Sequence, residues 1–206
     1  MSSEAVVVKK GLNVRYMVQI GMLGGVATLL MLFEIPLWFA PSFYEIDLSE
    51  VAVLVGTFTM GPLAGIMIET IKILLNFILN GTVTAGIGEF ANLLLGISLV
   101  APAGILYRRN KTKKGAAAGL LVGTITMTLI GSLLNAYVLL PVYSTAFGMP
   151  MEALVGMGTA VNPAITGLGT FVLFAVVPFN ILKGIVVSVI TLLIYKKLSP
   201  IFKPYR

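Results

Sequence analysis

Cysteine and histidine are both absent from the 206 residues. That removes disulfides, cysteine nucleophiles, serine–histidine triads and the common zinc and haem sites. Carboxylate-bound metals stay open in principle. Charge is scarce too: 11% of residues are charged, against about 25% in a soluble domain. No Walker-type phosphate loop occurs, so the chain does not hydrolyse ATP by that route. No H-E-x-x-H helix and no G-x-S-x-G elbow occurs either. With so poor an inventory of nucleophiles and metal ligands, the expectation is a protein that is not an enzyme and needs no cofactor.

What the chain does have is apolar length. Hydrophobic residues make up 58%, and the mean hydropathy is +1.01. It reads as an integral membrane protein, all-α, forming one domain over 1–206. Met1 to Gly11 is a polar, basic lead without the short apolar core and cleavage site of a signal peptide. Six apolar segments follow: Val14–Phe33, Leu48–Met60, Leu63–Leu79, Ala85–Tyr107, Ala116–Leu140 and Thr170–Tyr195. The first has about 20 residues, the length a bilayer requires; the second is borderline. Asn80-Gly81 is a turn signal. Leu37 to Asp47 carries Trp38, Phe39, Phe43 and Tyr44, a pattern shared by interfacial aromatic belts and by walls that stack on a ligand. Pro141 to Gly169 is too polar for a plain span and too apolar for a free linker, so an ordered cap with one short helix is expected. No internal repeat is visible.

The net charge of +6 would suggest nucleic acid in a soluble chain. Here it reads as basic loops on one side of a membrane, with no nucleic-acid partner. Twelve of the fourteen basic residues precede the first helix, follow the fourth or follow the sixth. Six crossings put all twelve on one side, and the positive-inside rule makes that side cytoplasmic. Both termini are then cytoplasmic, in a multi-pass protein of the cell membrane.

The two remaining basic residues, Lys72 and Lys183, lie inside apolar segments. A lysine there costs roughly 3 kcal/mol on insertion scales, which makes it a functional candidate. Asn180 and Lys183 are three apart and share a helix face, near the start of the last helix after Pro178. Lys183 fits two roles, ligand donor or half of a buried pair with Glu45 or Asp47. Glu69 and Lys72 are spaced to pair with each other. Asp47 and Ser49 suit a helix cap as well as a ligand contact. In the six-crossing arrangement Asn76, Asn80, Glu89, Asn92, Asn135, Asn180 and Lys183 all fall in outer halves of their helices, with Glu45, Asp47 and Glu50 nearby. Asn92 and Asn135 also suit simple helix–helix bonding. Such one-sided polarity describes a site open to the outside rather than a channel, which needs polar lining at every depth. On the first helix Gly21 and Gly25, four apart, form a face that lets another backbone approach.

These features resemble the substrate-binding S components of energy-coupling factor vitamin transporters, and within them the riboflavin branch. The likeness rests on the six-helix plan, the Gly21/Gly25 face, Asp47-Leu48-Ser49-Glu50, Gly61-Pro62-Leu63-Ala64-Gly65, Asn135 and Pro178-Phe179-Asn180-Ile181-Leu182-Lys183-Gly184. It implies high-affinity capture of riboflavin from outside. It also implies a transmembrane coupling subunit and two ATPase subunits as partners, and docking through the small-residue face, where the family has Ala-x-x-x-Ala and this chain has Gly21 and Gly25. Asn135, Asn180 and Lys183 match the positions that bind the flavin, and Glu45 or Asp47 the acidic loop contribution. Tyr44 and Asn92 complete the candidate ligand contacts. A self-sufficient, gradient-driven transporter with Lys183 and a carboxylate as an ion relay is the competing reading.

Overall fold

The computed structural model describes residues 14–38, 40–41, 44–82, 85–146 and 148–202. The basic lead, Phe39 and Phe43, and Lys203 and Arg206 lie outside them. Among the described residues, five helical runs are long and apolar enough to cross a membrane: Val14–Met31, Pro62–Asn80, Ile87–Arg109, Lys113–Thr145 and Leu168–Phe202.

The first helix, α1 (Val14–Met31), buries Ile20, Leu23, Gly24, Ala27, Thr28 and Met31 on one face. Met17, Val18, Met22, Val26 and Leu29 are exposed on the other. An apolar exposed face suits lipid as solvent. The helix stops at Met31, two residues before its expected end, because Glu34-Ile35-Pro36 enters a small hairpin. Its strands, β1 (Ile35–Pro36) and β2 (Glu45–Ile46), pair antiparallel, Ile35 opposite Ile46.

The hairpin delivers the chain to α2 (Ser49–Met60). At 1.5 Å per residue, 12 residues reach about 18 Å, well short of the roughly 30 Å hydrocarbon core. Yet every residue from Ser49 to Phe58 is buried. A helix that is apolar all round belongs in an interior, and α2 is the central post, packed against α1, α3 (Pro62–Asn80), α4 (Ile87–Arg109) and the last helix. Gly81, with φ of 68°, ends α3 at the expected turn. The α5 helix (Lys113–Leu134) lies on α4 at close range. A Cβ on Gly119 would stand 2.7 Å from the Ala103 carbonyl oxygen, so this contact requires small residues.

Beyond α5 the outcome departs from the expected segment boundaries. The helix passes through a π turn, Asn135–Leu139, and continues as α6 (Leu140–Ala146). A second π turn, Val172–Val176, joins α8 (Leu168–Phe171) to α9 (Val177–Phe202). Pro141 and Pro178 each occupy the second residue after a π turn. Proline lacks the N–H an α-helix needs, and the wider turn before it takes up the misfit without a break. Pro178 therefore lies inside a continuous run and does not start one.

The 141–169 segment contains most of α6, all of α7 (Met151–Val161) and the start of α8. It has its own apolar core, in which Leu154 and Ile165 meet Ala40, Tyr44 and Ile46 from the hairpin region and Phe171, Val176 and Phe179 from the last helical run. The hairpin and this segment thus form one packed cap at one end of the bundle.

Candidate functional site

Under the cap lies a cavity bounded by the hairpin, α2, α4, the α5–α6 run and α9. The space enclosed within it is about 140 Å³, smaller than the roughly 300–1,000 Å³ of drug-sized ligand sites. Six of the seven candidate ligand contacts line it: Tyr44, Glu45, Asn92, Asn135, Asn180 and Lys183. Asp47 does not.

Each side chain is placed by a local cause. Asn135 opens the first π turn; its amide nitrogen donates to the Gly131 carbonyl at 2.9 Å, and its carboxamide oxygen accepts from the Tyr44 hydroxyl at 2.6 Å. The cap is thereby tied to the floor. Asn180 likewise donates to Val176 O at 2.9 Å. Gly131 leaves the room Asn180 needs, since a Cβ there would lie 3.1 Å from its amide. Lys183 is one turn deeper, 9% exposed, on the same face as Asn180.

Lys183 has the buried partner that its second reading anticipated. Its ammonium donates to Asp47 Oδ2 at 3.0 Å, while Asp47 Oδ1 accepts the Ser49 backbone N–H at 2.8 Å. Asp47 thus stands behind Lys183 and caps the entry to α2 at the same time. Burial alone would raise the Asp47 pKa, but the Lys183 and Lys72 charges and the Ser49 bond outweigh it and hold the carboxyl well below the usual range. Burial pushes the Tyr44 phenol up. On the rim, Glu34 is raised to about 7 by partial burial, by a hydrogen bond with Glu45 and by the Glu45 and Asp47 charges, with Lys183 opposing.

Lys72 is fully buried and pairs with Glu69 at 2.7 Å, the expected partner, but also with Glu50 at 2.7 Å. Glu50 lines the cavity; Glu69 stands behind Gly96, where a Cβ would overlap its carboxylate. Sequence reasoning placed Glu50 near the site but not in it, and it missed Met127, Tyr143 and Phe179 altogether. Phe179 adjoins Asn180 in the motif that carries the resemblance, and its ring lies 5.0 Å from that of Tyr44. The signal for Met127 and Tyr143 is weaker, because each reaches the cavity only through the packing of the α5–α6 run, which meets α4 and α9 through α5.

Among the aromatics of the hairpin region, Tyr44 is buried in the cap core and Trp38 is 90% exposed. Of these two, Tyr44 faces the cavity and Trp38 does not. On α1, Gly24 packs against Ile71, whereas a Cβ on Gly21 or Gly25 would meet nothing within 4 Å. Among the described residues, nothing packs on the small-residue face at these two positions.

The cavity offers apolar walls, among them Leu95, Leu139 and Phe179, with amides, one ammonium and carboxylates at its edges. Such a site suits a flat ligand carrying both hydrogen-bond acceptors and donors. Comparison with known proteins points the same way. A family model for the substrate-specific component of ECF transporters matches residues 15–195. The chain is 34% identical over 187 residues to the riboflavin transporter RibU of Staphylococcus aureus (strain TCH60), spanning 91% of this chain and 92% of that one. It is 34% identical over 196 residues to the riboflavin transporter FmnP of Bacillus subtilis (strain 168), spanning 95% and 97%. A solved structure described as "Structure and mechanism of the S component of a bacterial ECF transporter" superposes with a TM-score of 0.70 at 33% identity, covering 92% of this chain and 98% of that one. With sequence and fold in agreement over most of its length, the chain belongs to the ECF transporter substrate-specific component family.

Proposed function

We propose that this chain captures riboflavin from outside the cell and delivers it through a complex with a transmembrane coupling subunit and two ATPase subunits. The observation that carries the reading is the convergence of Asn135, Asn180 and Lys183 on one capped cavity, in a chain whose relatives are riboflavin transporters. Lys183 donates to ring carbonyls, Asn135 and Asn180 serve the polar edge of the ring, and Tyr44 and Phe179 cover its face. Asn92 and Glu45 lie at the periphery of the site, and Asp47 acts through Lys183. The 206 residues act as one membrane domain with six crossings, the short α2 counted among them. Both termini are cytoplasmic, the cap faces outward, and Gly21 and Gly25 dock the coupling subunit. The role is binding and hand-over, not catalysis.

The test is direct. Protein purified in detergent should quench the fluorescence of added riboflavin with saturation, and protein from riboflavin-fed cells should be yellow. Colourless protein with no saturable quenching would exclude the proposal.

A further inference from the structure

Five ionisable side chains, all at most 9% exposed, lie in or behind the cavity: Glu50 and Lys183 line it, with Asp47, Glu69 and Lys72 behind them. Lys72 pairs with Glu50 and Glu69, and Lys183 with Asp47, at 2.7 to 3.0 Å. Three carboxyl groups face two ammonium groups, which leaves one carboxyl in excess. Buried charge is costly unless paired and hydrogen-bonded. The Lys72 ammonium has three protons. It hydrogen-bonds Glu50 Oε1 at 2.7 Å and Ser49 Oγ at 3.2 Å, and ion-pairs with Glu69 Oε1 at 2.7 Å. No Lys72 hydrogen bond reaches the second Glu50 oxygen or either Glu69 oxygen. Glu50 Oε2 is left buried with no hydrogen-bond partner. Glu69 also has unpartnered oxygens, but it stands behind Gly96, whereas Glu50 itself lines the cavity.

We infer that Glu50 is a ligand-binding residue, an ionised acceptor held rigid by Lys72, and that it receives hydroxyl protons from the polyol chain of the bound molecule. This rests on riboflavin being the ligand. Riboflavin has a carbonyl-bearing ring edge and a donor-rich polyol. Lys183 is donor-only and suits the carbonyls; an ionised Glu50 is acceptor-only and suits the hydroxyls. Lys72, which does not line the cavity, is a positioning residue: it turns one Glu50 oxygen away and leaves the other for the ligand. The ligand's hydroxyls then supply the donors that the excess carboxylate lacks.

The experiment is a titration of purified protein with riboflavin and with lumiflavin, which keeps the ring and its imide N–H but lacks the polyol. Glu50→Gln removes the excess charge and leaves Lys72 paired with Glu69, so the fold should hold, as a melting curve will report. The variant should bind riboflavin about tenfold to 150-fold more weakly, the range of a hydrogen bond to a charged group, and lumiflavin as wild type does. Glu69→Gln removes the same charge from a residue outside the cavity and should leave both affinities unchanged. Glu50→Asp keeps the charge but retracts the oxygens; it should reproduce the selective loss and stands in if the glutamine variant unfolds. Unchanged riboflavin affinity in a folded Glu50 variant overturns the inference. So does an equal loss for lumiflavin, which would put the contact on the ring, or an equal loss in Glu69→Gln, which would make the effect one of field alone. Failure of the wild-type protein to bind either flavin would instead refute the proposed function.

Discussion

Lys183 stands in two relationships at once: it lines the cavity, and it is ion-paired with Asp47 at 3.0 Å. Removing one partner of a buried pair leaves the other charge uncompensated, at a cost of about 3–5 kcal/mol. Lys183→Met should therefore lose both riboflavin affinity and thermal stability. Adding Asp47→Asn should return most of the stability and none of the affinity, since the amide needs no counter-charge but supplies no ammonium. Melting curves and titrations on the two variants check this. A single variant as stable as wild type would show that the pair contributes nothing. The neighbourhood of Asn180 and Lys183 was legible from their three-residue spacing, and so was the Glu69–Lys72 pair. Glu50 was not, because its bond to Lys72 crosses between two helices and no spacing rule reaches across elements.

At the level of elements, α1 shows how neighbouring glycines diverge in use. Gly24 is filled against Ile71, while Gly21 and Gly25 face open space. Replacing both with leucine should leave riboflavin binding by the isolated protein unchanged, because no internal contact is disturbed. Uptake in cells that supply the coupling and ATPase subunits should collapse, because the proposed docking face can no longer approach another backbone. Wild-type uptake by the double variant would exclude docking through this face. Segment ends followed local signals where those signals stood alone, as at Asn80-Gly81. They failed at Pro141, which read as a segment end but sits inside a continuous helical run; Pro178, which suited a first turn or a kink, likewise lies within a run, each preceded by a π turn that absorbs the missing donor.

For the whole molecule the question is parity. Only if the 12-residue α2 counts as a crossing do the loop at Arg108–Lys114 and both termini share a side. Lys113 is exposed at the start of α5. A cysteine there, in a chain that otherwise has none, should react with a membrane-impermeant thiol reagent only when the cytoplasmic face is opened. Labelling from outside would overturn the orientation and the outward placement of the cap with it.

Membrane residence and the long apolar segments follow from composition and order alone, because the bilayer acts on hydropathy locally along the chain. The sequence also marked Lys72 and Lys183 as exceptional, since a charge in an apolar run carries its cost wherever the helix packs. Which carboxylate each lysine would meet was decided only by tertiary structure. Asp47, and not Glu45, reached Lys183 because Glu45 is held in the β1–β2 hairpin, which ends at Ile46, while Asp47 follows it two residues before α2. Glu50 reached Lys72 because α2 is too short and too apolar to lie anywhere but in the centre of the bundle, which brings its first turn under the cavity.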